Sequence, residues 1–209
     1  MVLVLQWGES LCASQASNRP CLSAVAPHWT LHGLWPLARH RVHCRADFDP
    51  LRLIHLRSRM EHLWPSYFHR HSRDAFHRHE YHKHGSCLYA SAAEYFERAL
   101  QLHDLHAPAL GQLTPADHTP RSLGDTLATL KQRIGVEAMV MCRSSAVQVP
   151  PAGGSGNVQL LVEVGLCFSA EGELRDCPER GRIRNCKKNR PVLLPPQFSF
   201  TAPERLAGG

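Results

Sequence analysis

Eight cysteines, an even number spread from Cys12 to Cys186, constrain this chain more than any other feature of its sequence. They are Cys12, Cys21, Cys44, Cys87, Cys142, Cys167, Cys177 and Cys186. None form the Cys-x-x-Cys pair of a zinc ribbon. A wide, even set of this kind reads as a disulfide framework, and disulfides persist in oxidising compartments. The sequence alone does not fix which cysteine joins which. Such a compartment requires a secretory leader, yet residues 1–7 are too short an apolar run for one and have no basic residues before them. That run reads as a buried strand. The sequence is therefore expected to be a mature or shortened form, or to begin downstream of the true start codon.

At 209 residues the chain can bury a substantial core, and it shows neither an internal repeat nor a domain boundary. One domain over residues 1–209 is expected. The composition, 43% hydrophobic and 20% charged, excludes a disordered protein. No apolar stretch approaches the ~20 residues that a membrane span needs. The net charge is +6 with 15 histidines counted as neutral. Mild acidification would raise it sharply, because histidine titrates between about pH 5 and 8. A positive field attracts polyanions such as RNA.

Hydrophobic periodicity places the elements. Residues 2–7 form a core strand, residues 10–27 a loop, and residues 29–36 a strand running into a turn at Gly33 and Pro36. Residues 50–64 are helical through Leu53, Leu56, Met60 and Leu63, and Pro65 ends them. Residues 73–87 form a second helix. Residues 91–103 form a third, with Ser91 and Glu94 at capping-box spacing, and residues 108–120 are loop. Residues 122–134 form a fourth helix that Gly135 stops. Strands are expected at 136–142 and 158–168, joined by a flexible Gly- and Pro-rich linker, with a tight turn at 170–173. A basic stretch covers 182–190, and residues 191–209 read as a loose tail. Helices early and strands late indicate an α+β domain.

The densest chemistry lies in Phe76-His-Arg-His-Glu-Tyr-His-Lys-His-Gly-Ser-Cys87. On a helix turning about 100° per residue, His79, Glu80, Lys83 and His84 fall on one face, whereas a strand would split them. Phosphodiester cleavage by proton transfer needs a neutral imidazole to take a proton from a ribose 2′-hydroxyl. It needs a charged imidazole to protonate the leaving oxygen, and a cation for the phosphorane. His84 with Lys83 and Glu80 meets most of this list. The second imidazole must come from elsewhere, and His32, before the turn, is a candidate. Two other readings stay open on these residues alone: a solvated helix face, and a transition-metal site. Against the metal, the i+4 partner of His79 is Lys83, a poor ligand.

Thr30-Leu-His-Gly-Leu-Trp-Pro36 and His79-Glu-Tyr-His-Lys-His-Gly-Ser-Cys87 resemble, in order and separation, the two active-site signatures of the ribonuclease T2 family of secreted endoribonucleases. Weaker likeness extends to residues 2–12, 63–66, 161–167 and 176–178. Tyr81 stands where the family often has Trp, and Ser86 where it often has Thr. The resemblance implies an α+β fold with a mainly antiparallel central sheet flanked by helices and stapled by disulfides. It implies a metal-independent endoribonuclease without cofactor, cleaving single-stranded RNA with little base preference through 2′,3′-cyclic phosphates to 3′-phosphates.

Residue by residue, the resemblance makes His32 the general acid and His84 the general base. Glu80 and Lys83 become the pair that stabilises the phosphorane, and His79 a phosphate-binding histidine. Trp35 serves packing or base-side support. It also implies the disulfides Cys12–Cys21, Cys44–Cys87, Cys142–Cys186 and Cys167–Cys177, a secreted or periplasmic setting, and a monomer without obligatory protein partner. The competing expectations are a catalytically silent RNA-binding protein on the same fold, and a metal-sequestering protein using His69, His71 and His77.

Overall fold

The structure, a computed structural model, describes residues 1–15, 21, 25–37, 44, 46–68, 72–111, 113, 119–144 and 158–195. Its centre is a seven-stranded, mostly antiparallel sheet. Strands β1 (Val2–Trp7), β2 (Trp29–Trp35), β3 (Met139–Ser144) and β4 (Gln159–Phe168) form the body. The order is β2-β1-β4-β3, continued by the short β6 (Ile183–Arg184). Two more short strands, β5 (Leu174–Arg175) and β7 (Val192–Leu193), pair with β4. The β3–β6 and β4–β7 pairings are parallel, and the rest are antiparallel.

The two central strands are buried along their whole length, β1 at all six positions and β4 at all ten. Both faces of the sheet are covered, so these strands carry apolar runs instead of the alternation of a half-exposed strand. One hydrophobic cluster holds Leu3, Leu5, Leu31, Val164 and Leu166 with the aromatic residues Trp64, Tyr81, Tyr95 and Phe96. A second gathers Leu160, Val162 and Leu193 with Leu11 and Tyr67. A third joins Val2 and Val4 to Cys167 and Cys177.

Five α-helices surround the sheet among the described residues: α1 (Gly8–Gln15), α2 (Arg57–Leu63), α3 (Arg73–Glu80), α4 (Ala92–Leu110) and α5 (Leu123–Ile134). Ser72, Ser91 and Ser122 cap α3, α4 and α5, each accepting a hydrogen bond from a backbone N–H of the first turn. Gly135 closes α5 at φ +85°, a conformation that favours glycine.

Several elements differ from the sequence expectation. The first is α1, which lies where a loop was expected; burial of Leu11, Cys12 and Ala13 in the second cluster overrides the loop preference of its serines. Residues 50–64 split into a 3₁₀ segment, Pro50–Leu56, capped by Asp49, and then α2. α4 runs past the expected end at residue 103 and through Pro108, because Ala107 and Leu110 are buried. Glu94 accepts from the backbone N–H of Ala90, so the reciprocal capping box does not form. The expected tail also begins as structure: Val192, Leu193 and Leu194 are buried and β7 pairs with β4, their apolar side chains outweighing the prolines around them. The linker around residues 150–156 and residues 196–209 lie outside the described residues.

Four disulfides link Cys12–Cys21, Cys44–Cys87, Cys142–Cys186 and Cys167–Cys177, the pairing that the resemblance implies. Two of them tie the late strands: Cys142 of β3 to Cys186 beyond β6, and Cys167 of β4 to Cys177. With no helix among the described residues long and apolar enough to cross a membrane, this cross-linking fits an extracellular or lumenal protein.

Candidate active site

β2 pairs regularly with β1 on either side of His32 but not at it. Val4 faces Gly33 and Leu5 faces Leu31, so His32 is the extra residue of a β-bulge. A bulge bends its strand and re-aims the side chain it carries. The freed carbonyl of His32 accepts the indole N–H of Trp64 at 2.9 Å. The Trp64 carbonyl is in turn 2.9 Å from Nε2 of the buried His77. Nδ1 of His32 lies 2.8 Å from Oε1 of Glu163 on β4.

The second block is not one continuous helix. α3 ends at Glu80, and Tyr81–Gly85 form a turn of π-helix closed by Ser86 N–H donating to the Tyr81 carbonyl at 2.8 Å. The wide turn packs Tyr81 and Gly85 against the ring of Tyr95, which leaves no room for a side chain at Gly85. π-turns of this kind recur at functional sites. Glu80, the last residue of α3, is buried and points to the bulge. Its Oε1 is 3.9 Å from His32 Nε2 and its Oε2 3.8 Å from His84 Nε2. The expected sharing of a face by Glu80 and His84 thus survives the change of helix type.

Trp35 fills the space between the two imidazoles. Its indole N–H donates to Glu80 Oε2 at 2.9 Å. Its ring meets His32 edge-on at 4.9 Å and stacks on His84 at 4.9 Å. Gly33 is required for this approach, since a Cβ there would run into Trp35 Nε1 and Glu80 Oε2. Phe76 stacks on the outer side of His32 at 6.2 Å. Lys83 and His79 are exposed. They reach the site through their charge: both act on Glu80 and His84, and Lys83 acts on His32.

The environments drive the two imidazoles apart. For His32, burial disfavours the charged ring, but the Glu163 hydrogen bond and the charges of Glu163 and Glu80 prevail, and its pKa is raised. For His84, burial and then the charges of Lys83, His32 and His79 lower the pKa to about 3. Burial raises Glu80, opposed by His32, the Trp35 hydrogen bond, His79 and Lys83. One charged and one neutral imidazole on either side of a carboxyl group can give and take a proton in the same step.

His32, Glu80, His84 and Trp35 are therefore in contact, with His79 and Lys83 at the rim. His77 is a structural residue tied to Trp64, its pKa lowered by burial. That removes one member of the expected metal-binding trio; His69 and His71 lie outside the described residues. No three His, Cys, Asp or Glu side chains converge as a metal site among the described residues. Glu163 and Trp64 had no role in the sequence reading. Glu163 had a signal: a carboxyl group in the middle of the apolar run 160–168 must find a partner when buried.

The model of the Ribonuclease T2 family matches residues 1–177. Ribonuclease T2 of Sus scrofa is 28% identical over 206 residues, 94% of this chain and 96% of its relative. The structure of ribonuclease MC1 from bitter gourd seeds superposes with a TM-score of 0.70 at 28% identity, covering 90% of this chain and 96% of that one. A mutant of ribonuclease MC1 in complex with 5′-UMP superposes at 0.67 with 27% identity, covering 90% of this chain and 94% of that one.

Proposed function

The chain belongs to the ribonuclease T2 family and is an endoribonuclease, and from that premise we propose that it cleaves single-stranded RNA with His84 as general base and His32 as general acid. The observation that carries this division is the pair of imidazoles on opposite oxygens of Glu80, at 3.9 and 3.8 Å, with pKa values displaced in opposite directions. Neutral His84 takes the proton of the ribose 2′-hydroxyl. O2′ attacks phosphorus, the P–O5′ bond breaks, and charged His32 protonates O5′ from Nε2. The product is a 2′,3′-cyclic phosphate. The histidines then exchange roles: His32 takes a proton from water, and His84 protonates O2′ as the ring opens to a 3′-phosphate.

Lys83 supplies the positive charge for the phosphorane. Glu80, its pKa raised by burial, stands with Lys83 as the other member of the pair that stabilises the phosphorane. Trp35 holds Glu80 and His84 in place, and exposed His79 meets a flanking phosphate. These groups address phosphate and ribose, which supports low base preference. The reading includes one catalytic domain over residues 1–209, acting as a monomer in a secreted or periplasmic setting, with neither metal nor cofactor.

The test is cleavage of a short RNA followed by ³¹P NMR of the products. Cyclic phosphate should accumulate first, EDTA should leave the rate unchanged, and His32→Ala or His84→Ala should each lower kcat by on the order of 10²–10⁴-fold. Activity lost to EDTA and restored by zinc would overturn the reading.

A further inference from the structure

The proposed roles of His32 place its Nε2 at the reacting oxygens and leave Nδ1 unexplained. Nδ1 meets a side chain that folding alone gives little reason to bury. Glu163 is 2% exposed, lies at the centre of a strand whose ten residues are all buried, and is flanked by Val162 and Val164. Its backbone is held from both sides, opposite Gln6 on β1 and Met141 on β3. Its Oε1 is the atom 2.8 Å from His32 Nδ1, while its Oε2 is buried without a hydrogen-bond partner among the described residues. A carboxyl group satisfied on one side only, deep in an apolar strand, costs stability.

We propose that Glu163 is the positioning residue of the general acid: its Oε1 keeps a proton on His32 Nδ1 through both steps, so that Nε2 alone exchanges protons with the substrate. This rests on the assignment of His32 made above. In the first step the Nε2–H bond breaks as O5′–H forms, and the ring left behind is the neutral Nδ1–H tautomer. Its Nε2 lone pair faces the cyclic phosphate and is the base that the second step needs; a proton from water returns to it. Without the fixed acceptor the neutral ring would divide between tautomers, and the Nε2–H form has no lone pair to offer water. A misplaced tautomer is a known way to disable a histidine without disturbing its position. The groups facing His32 are Glu163 from β4, Glu80 from α3, and Lys83 and His84 from the π-turn. Among the described residues only Glu163 is within hydrogen-bond distance of Nδ1.

The experiment compares Glu163→Gln with the wild type on three substrates: RNA, a uridine 2′,3′-cyclic phosphate, and a uridine 3′-(p-nitrophenyl phosphate), whose leaving group needs no acid. The expected result is a loss of on the order of 10²-fold in kcat on RNA and on the cyclic phosphate, with KM little changed. Activity on the nitrophenyl ester should stay within a few-fold of wild type, and the alkaline limb of the RNA profile should move to lower pH. Equal losses on all three substrates, or no loss at all, would overturn the proposal. His32→Ala is the control. If it too is impaired on the nitrophenyl ester, His32 is not the acid and the parent reading fails. If it is spared there while Glu163→Gln behaves as wild type on RNA, only the role of Glu163 fails. Should Glu163→Gln not fold, ¹⁵N NMR of wild-type His32 decides: neutral His32 protonated on Nδ1 supports the proposal, and protonation on Nε2 defeats it.

Discussion

As the proposed acid and base, His32 and His84 should set opposite limbs of the activity profile. The folded pKa of His84 lies near 3, below its ordinary 6.5. A base works when deprotonated, so kcat/KM rises with pH through that low region. The pKa of His32 lies above 6.5. An acid works while protonated, so activity falls only as pH climbs through that higher value. A plateau across mildly acidic pH is expected when kcat/KM is measured on a dinucleotide; an acidic limb close to 6.5 would contradict it. Stability follows the same signs. His84 contributes most above 6.5 and loses that contribution as pH falls toward 3. His32 contributes below 6.5 and loses it as pH rises through its folded pKa. Gly33 supplies a second test at this scale. Gly33→Ala places a Cβ against Glu80 and Trp35, so it should displace the carboxyl group between the imidazoles. Overpacking costs about 1–3 kcal/mol, and kcat should fall by on the order of 10²-fold as the proton-transfer geometry opens. A Gly33→Ala enzyme with wild-type kcat and melting temperature would show that the approach is slack. At this scale the sequence exposed Glu80, Lys83, His79 and His84 as one set through helical spacing. It tied His32 to them only through the resemblance. Glu163 is 131 residues from His32 in the chain, and no local spacing reports a contact of that range.

At the scale of elements, strands β1 and β4 are legible in the sequence as continuous apolar runs, β2 through its alternation, and helices α3 to α5 through a buried stripe at helical spacing. Features that tertiary packing sets leave no such pattern. The π-turn at Tyr81–Gly85 exists because Tyr81 and Gly85 close on Tyr95 of α4. The bulge at His32 exists because two registers of β1–β2 pairing meet there. The proposed acid and base thus sit on two local irregularities, each held from outside its own segment. The π-turn is also held covalently, since Cys87, three residues after His84, is joined to Cys44. Replacing both cysteines with serine releases a cross-link of 43 residues' separation, worth about 4 kcal/mol by loop entropy. Cys12–Cys21 spans a separation of 9, worth about 3 kcal/mol by the same argument. The stability losses should therefore be similar and the activities different. At a temperature where both variants are folded, the Cys44/Cys87 variant should lose kcat, while the Cys12/Cys21 variant, whose Cys12 packs in the second hydrophobic cluster, keeps it. Thermal melts paired with initial rates check this; equal activities would mean that packing alone holds the π-turn.

For the whole molecule the governing quantity is charge. The net charge is +6 before any histidine is protonated, so a long RNA is attracted by the field of the entire surface. A dinucleotide with one phosphate samples little more than the site. Each phosphate contact on a single strand contributes a slope of about −0.7 to the dependence of log affinity on log salt. The long substrate should therefore show KM rising steeply with salt, the dinucleotide only shallowly, and kcat on either changing little. Charging any of the 15 histidines adds to the field, so the slope for long RNA should steepen between about pH 7 and pH 5. Burial keeps His84 neutral over that interval, so the base remains available as the surface becomes more positive. Binding and chemistry are then favoured together at mildly acidic pH by different histidines. Salt titration of KM and kcat at the two pH values, with both substrates, separates these contributions. Slopes that are equal for the two substrates, or independent of pH, would confine recognition to the catalytic pocket.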